Sequence, residues 1–282
     1  MDFIDTHQHL IFRDRISYGW TNDLPALAAG NFTLKDYKAL TNGRGIGKTV
    51  FMETGVDDAD YQAEARLVAG LVGTEGLAGV IASCRPETDT GFDAWLNEAQ
   101  ALGINGFRRI LHVAPDDVSR SAIFRKNLRK IGKAGLPFDL CFFARQHPIT
   151  IELLKACPDQ QFVLDHCGNP DVASGAFAPW AQSMRQLAAF PNLAVKLSGI
   201  AVNCAPGTAN LATIKPYFDH MMECFGPERI VWGSDWPVVN LACGLQDWID
   251  ISQALISSLT ESEQRAIAQD NALHTYRISK EK

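Results

Sequence analysis

Two histidines spaced by one residue, His7 and His9 around Gln8, close the first apolar run of the chain. On a strand the side-chain period of two puts both imidazoles on one face, about 6 to 7 Å apart, where neutral ring nitrogens can hold a divalent metal if other strands add ligands. The plainer alternative is a hydrogen-bonded pair without metal. Three further residues end apolar runs in the same way: Glu53 after Phe51-Met52, His166 after Phe162-Val163-Leu164-Asp165, and Asp235 after Ile230-Val231-Trp232-Gly233-Ser234. Glu53 is a candidate metal ligand, or else a solvated strand-end acid. His166 is a second strong candidate for the same centre. Asp235, followed by Trp236-Pro237, is the candidate general base, against the alternative of a turn residue or N-cap. Asp5 shares the phase of His7 and His9 one layer deeper, where a carboxylate can orient a histidine. Of the adjacent Arg108 and Arg109, one must enter the strand layer's interior and the other the helix layer; Arg108 is read as inward, facing a ligand oxygen. Arg85 and His112, at the ends of the next two runs, are read as substrate contacts, with Trp20, Phe143 and Trp236 as apolar walls on which a ring can stack.

Something must bring these residues to one rim. Eight short apolar runs begin at Phe3, Thr49, Gly79, Gly106, Phe138, Phe162, Leu193 and Ile230. Helical patterns lie between most neighbours: 61–71, 92–102, 123–131, 149–157, 180–190 and 214–225. Gly73, Gly103, Gly132 or Gly135, and Gly226 stand where left-handed helix caps belong, and Pro137, Pro158, Pro191 and Pro227 stop the helices from continuing. Eight β-α units over 282 residues match the α/β architecture of a (β/α)8 TIM barrel, whose strand C-terminal ends build the active site. A doubly wound sheet is the runner-up, but no G-x-G-x-x-G follows the first strand. With no linker or composition shift, one domain over 1–282 is expected, with candidate lids at 10–32 and 203–210. His147, before Pro148, reads as a cap or surface residue; His220 and His274 read as structural.

Composition narrows the classes. The chain is 46% hydrophobic and 21% charged, with net charge −6, and its only basic cluster is the short stretch from Arg125 to Lys133. A nucleic-acid partner is not expected. Seven cysteines without a C-x-x-C pair suit reduced thiols and a cytoplasmic protein. The N-terminus lacks the pattern of a signal peptide, and no apolar stretch reaches the roughly 18 to 20 residues that span a bilayer.

Several motifs, in order along nearly the whole chain, strongly resemble the amidohydrolase superfamily, in the amidohydrolase-related branch that includes sugar lactonases. They are Ile4-Asp5-Thr6-His7-Gln8-His9-Leu10, Tyr18-Gly19-Trp20, Gly106-Phe107-Arg108, the segment from Phe162 to Pro170, Val195-Lys196-Leu197-Ser198-Gly199, and Trp232-Gly233-Ser234-Asp235-Trp236-Pro237. Within the branch the chain looks most like L-fuconolactonases and L-rhamnonolactonases, with pyrone dicarboxylate lactonases further off. The resemblance implies hydrolysis of a sugar-acid lactone, with His7, His9, His166 and Asp235 carried over and Glu53 matching a strand-two carboxylate. Departures are equally specific: no Lys ends strand four or five, so the bridging carboxylated lysine of two-metal members is absent, and strand five ends in Phe142-Phe143-Ala144-Arg145 without a histidine.

The expected cofactor is therefore one divalent metal, zinc first, with metal-independent catalysis as the alternative. In the expected reaction Asp235 takes a proton from water and returns it to the ring alkoxide. The carbonyl is polarised by the metal, or without one by the imidazoles and Arg108. The expected partner is a small sugar lactone, with a homo-oligomer left open. A metal-dependent decarboxylase of the same branch, a pyrone-dicarboxylate-type lactonase and a non-catalytic sugar-acid binder are the rivals.

Overall fold

Each apolar run becomes a strand because its residues are buried on both faces, as parallel strands covered by helices require. A computed structural model describes residues 2–279; Met1 and 280–282, which the one-domain expectation also took in, lie outside the described residues. The strands are β1 (Phe3–Gln8), β2 (Ile46–Met52), β3 (Leu77–Ser83), β4 (Gly106–Ile110), β5 (Phe138–Cys141), β6 (Phe162–Leu164), β7 (Leu193–Leu197) and β8 (Ile230–Trp232). They pair in parallel in the order of the chain. Closure comes from the ends of the series: Thr6 Oγ1 donates to the Trp232 carbonyl at 2.7 Å, Asp235 N to the His7 carbonyl at 2.8 Å and His9 N to the Trp236 carbonyl at 2.7 Å. The protein is a nearly closed (β/α)8 barrel in a single domain.

The helices that follow the strands are α1 (Leu34–Thr41), α2 (Tyr61–Ala69), α3 (Phe92–Ala101), α4 (Ala122–Lys133), α5 (His147–Ala156), α6 (Phe177–Ala188), α7 (Leu211–Phe225) and α8 (Leu245–Ile256). The sequence patterns named six of these; α1 and α8 complete the set. In α4 the residues Phe124, Asn127, Leu128 and Ile131 recur at helical spacing and are buried, and Phe124 packs edge-on to Phe138 of β5 with ring centroids 6.2 Å apart. Gly135, with φ +74°, is the residue that turns the chain out of α4, which settles the choice against Gly132.

Inside the barrel lies an apolar floor of Ile4, Val50, Ile81, Val163, Ala194 and Val231, capped by Tyr276 and Ile278 just past the short helix α10 (Asn271–Thr275; α9 is Glu261–Arg265). Lys196 and Asp165 stand two residues further along the chain than the floor residues Ala194 and Val163, Asp139 joins them from β5, and all three are fully buried. Among the described residues no helix is long and apolar enough to cross a membrane.

One expectation about phase is overturned here. The β1–β2 register slips between Asp5 and Gln8, so a bulge rotates Asp5 out of the phase of His7 and His9. Its carboxylate accepts from Tyr37 Oη of α1 at 2.6 Å and from the backbone N of His7 and Ser234 at 2.9 and 2.8 Å. Asp5 fixes the main chain that carries the site, and orients no imidazole.

Candidate active site

A cavity of about 360 Å³ opens at the C-terminal ends of the strands, where the barrel fold places its chemistry. His9, Arg108, His166 and Asp235 reach it from β1, β4, β6 and β8, and Trp20, His112 and Phe143 line it from the loops. Trp20 and Phe143 remain 42% and 41% exposed, as residues at a mouth do.

Proton placement follows from the partners. His9 Nδ1 lies 2.9 Å from the Met52 carbonyl, which only accepts, so Nδ1 carries the hydrogen and Nε2 presents its lone pair. That lone pair faces Asp235 Oδ1 at 3.3 Å. At His7 the donor-only guanidinium of Arg108 stands 3.1 Å from Nε2, while Nδ1 lies 3.4 Å from Asp165 Oδ1 and 3.3 Å from Lys196 Nζ. Burial first, and Lys196 and His166 besides, hold the His7 ring well below the usual histidine range against the pull of Asp165. His7 Nε2 is 3.7 Å from the same oxygen of Asp235. Nε2 of His9, Nε2 of His7 and the Asp235 carboxylate thus converge, and these three residues offer the nitrogen and oxygen atoms that fit a divalent cation. A second grouping of His7, Asp165 and His166 lies beside it.

Glu53, expected as a ligand, is in neither grouping: its Oε1 accepts from Arg108 Nε at 2.8 Å and its Oε2 from Gly55 N at 2.9 Å, so it braces the guanidinium and the turn after β2. Arg108 also donates to the Glu53 carbonyl at 2.6 Å. Burial opposes the charge of Arg108, but Glu53 and Asp165 outweigh it and hold the guanidinium protonated. Arg109 turns the other way and pairs with Glu87 at 2.9 Å, as strand alternation requires.

Beneath the rim runs an ionic chain that the sequence did not reveal. Lys196 Nζ lies 2.5 Å from Asp139 Oδ2, 3.1 Å from Asp165 Oδ1 and 3.3 Å from His7 Nδ1, and Tyr276 Oη donates to Asp139 at 2.8 Å. Burial pushes the Asp139 carboxyl up. Burial also works against the charge of Asp165, yet Lys196 and His7 outweigh it and hold that carboxyl well below the usual range.

Backbone strain concentrates here. His166, Cys167, Asn169 and Asp235 adopt φ of +55°, +55°, +47° and +58°, conformations that non-glycine residues seldom take. His166 Nδ1 is 3.0 Å from Ser198 Oγ, and burial, helped by Arg108 and Lys196, lowers its pKa. The close approach needs Gly199: a Cβ there, at φ +60°, would lie 2.2 Å from His166 Nδ1. Gly233 is as constrained, its added Cβ falling 2.5 Å from His7 Cβ.

Three other expectations move. Trp236 is only 1% exposed and packs edge-on against Phe32 and Tyr37, with centroids 5.5 and 5.4 Å away, so it stands behind the rim and not in the cavity wall. Arg85 lies outside the cavity, bonded to Asp58 at 2.9 Å and to Ser83 Oγ at 2.8 Å, with its guanidinium over the Tyr61 ring. His147 is no surface residue: it is fully buried, with Nδ1 2.6 Å from Ser183 Oγ and Nε2 2.9 Å from the Gly168 carbonyl. His112 does line the cavity, its Nδ1 3.1 Å from Cys141 Sγ and its pKa pushed down to about 4 by burial first and by His166 and Arg108 next. Asn169 and Asn203 line it as well and were missed, for lone loop asparagines carry no spacing signal.

Comparison with known proteins agrees with this architecture. Residues 4–278 match the amidohydrolase family model, and the chain belongs to that family; it is a hydrolase. An L-fucono-1,5-lactonase of Burkholderia ambifaria is 28% identical over 289 residues, covering 98% of this chain and 96% of the relative. A 2-pyrone-4,6-dicarboxylate hydrolase of Comamonas testosteroni is 25% identical, covering 86% and 79%. Among solved structures, a zinc-bound amidohydrolase of Burkholderia multivorans superposes with a TM-score of 0.89 at 23% identity, covering 99% of this chain and all of that one, which bears on the fold.

Proposed function

We propose that the protein opens the ester ring of a sugar-acid lactone by hydrolysis. The observation that carries this reading is the meeting of Asp235 with Nε2 of His9 and of His7 at the base of a cavity whose mouth is walled by Trp20 and Phe143. The L-fucono-1,5-lactonase relative supports the same substrate class, and the pyrone-dicarboxylate hydrolase supports lactone opening more broadly.

Lactone hydrolysis needs a nucleophilic water, stabilisation of charge on the carbonyl oxygen and a proton for the departing ring oxygen. Asp235 Oδ1, at the cavity base, takes the proton from water and later returns it to the ring alkoxide, one group acting as base and then acid. Arg108, locked by Glu53, presents donors that cannot swing away, and His166 lines the same wall; both stabilise the oxygen that becomes negative. His7, His9 and Asp235 are the residues that would hold a divalent ion, zinc by their nitrogen and oxygen donors. Such an ion, when bound, supplies Lewis-acid polarisation and an acidified water. Trp20 and Phe143 offer faces on which the sugar ring stacks and sheds water.

A panel of aldonolactones followed by acid release, with and without chelator, tests the reading. Acid release with loss on chelation is expected for metal-assisted hydrolysis, and acid release that persists would assign the polarisation to Arg108 and His166. Carbon dioxide in place of acid would favour decarboxylation, and binding measured by calorimetry without product would make the protein a sugar-acid binder.

A further inference from the structure

Beyond its His, Arg and Asp side chains the cavity is lined by Trp20, Val113, Phe143, Val202, Asn169 and Asn203, with His112 beside Phe143 at 4.6 Å between ring centroids. Arg108 is held by the side chain and carbonyl of Glu53, by His7 and by Asp165.

Hydroxyl groups need polar side chains that can turn to meet them, and several here are tied to a backbone carbonyl. Trp20 Nε1 donates to the Thr54 carbonyl at 2.8 Å, Thr54 Oγ1 to the Leu10 carbonyl at 3.1 Å and Asn169 Nδ2 to the Phe142 carbonyl at 2.8 Å. Asn203 differs. Its Nδ2 makes one long bond, 3.4 Å, to Asn169 Oδ1, its half-buried Oδ1 has no partner among the described residues, and its backbone is held by Ala173 N at 2.9 Å. It also stands where the reaction cavity meets a second hollow of about 360 Å³ that shares Phe143, Asn169 and Asn203 and is lined besides by Arg145 and Asp171, so a substituted ring has room beside it.

We propose that Asn203 is a specificity-determining residue, its amide accepting from and donating to a ring hydroxyl, so that it favours hydroxylated over unsubstituted lactones. This rests on the lactonase reading above. A site that hydrogen-bonds a substrate hydroxyl loses more on hydroxylated than on bare substrates when that partner is removed, because a bare ring never used it.

The test compares wild type and Asn203→Ala on a six-carbon aldono-δ-lactone and on unsubstituted δ-valerolactone. Expected is a drop of about tenfold in kcat/KM for the aldonolactone, carried by KM, with valerolactone unchanged. Equal loss on both lactones, or no loss on either, overturns the inference while leaving the lactonase reading standing. Wild type that opens neither overturns both. Asn203→Ser, which keeps a donor and acceptor on a shorter side chain, should recover part of the lost selectivity; if Asn203→Ala does not fold, the same selectivity ratio read on Asn203→Ser decides.

Discussion

Nε2 of His9 and Oδ1 of Asp235 face each other at 3.3 Å as two acceptors, because the other nitrogen of His9 donates to the Met52 carbonyl. Such a contact is repulsive unless a proton or a cation lies between. His9→Ala should therefore lower the zinc retained after reconstitution and dialysis, measured by elemental analysis, and slow lactone opening by about a hundredfold or more. Retention equal to wild type would remove His9 from the metal site.

Lys196 joins Asp139, Asp165 and His7 at full burial. Lys196→Met leaves two buried carboxyls without their cation, and unfolding in urea should show a loss of roughly 3–5 kcal/mol. A midpoint within error of wild type would mean that the chain of charges contributes nothing net.

Glu64 of α2 is fully buried near Glu53 and accepts from Thr54 N at 3.3 Å; burial first, then Glu53, pushes its carboxyl well above the usual value of 4.5. A carboxyl raised in the folded state costs stability as pH climbs past its unfolded value, and the cost grows until the folded value is passed. Glu64→Gln removes that cost. The Tm advantage of the variant over wild type should be larger at about pH 8 than at about pH 5. An advantage that shrinks as pH rises contradicts the assignment.

Trp20 and Phe143 are exposed enough that their removal opens no core cavity. Trp20→Ala and Phe143→Ala should each raise KM several-fold with kcat and thermal stability little changed, since lost stacking weakens ground state and transition state alike. A fall in kcat at unchanged KM would place these rings nearer the reacting bond.

Residues at strand ends were legible because a parallel barrel sends every strand's C-terminal end to one rim, so His7, His9, Arg108, His166 and Asp235 needed only the eight apolar runs to be placed. Asp5 was misread because a bulge between it and Gln8 breaks the period of two, and bulges leave no mark in a string of letters. Glu53 looked free because its partner, Arg108, is 55 residues away. Lys196 sits inside the apolar run of β7, and its meaning comes only from Asp139 and Asp165 on the neighbouring β5 and β6. Trp236 was right in type but wrong in place, for the turn after Asp235 sends its ring to Phe32 and Tyr37. The capping box of Thr33 and Asp36 that starts α1 was readable, though the irregular stretch before it hid the helix.

The central claim is that Asp235 moves the proton in lactone hydrolysis, and acid release from an aldonolactone by wild type and Asp235→Asn, side by side, tests it most directly. Wild type should release one proton for each ring opened, and the variant, its fold confirmed by circular dichroism, should be slower by about 10²–10⁴-fold. A variant that keeps the wild-type rate, or a wild type that releases no acid from any aldonolactone, contradicts the account.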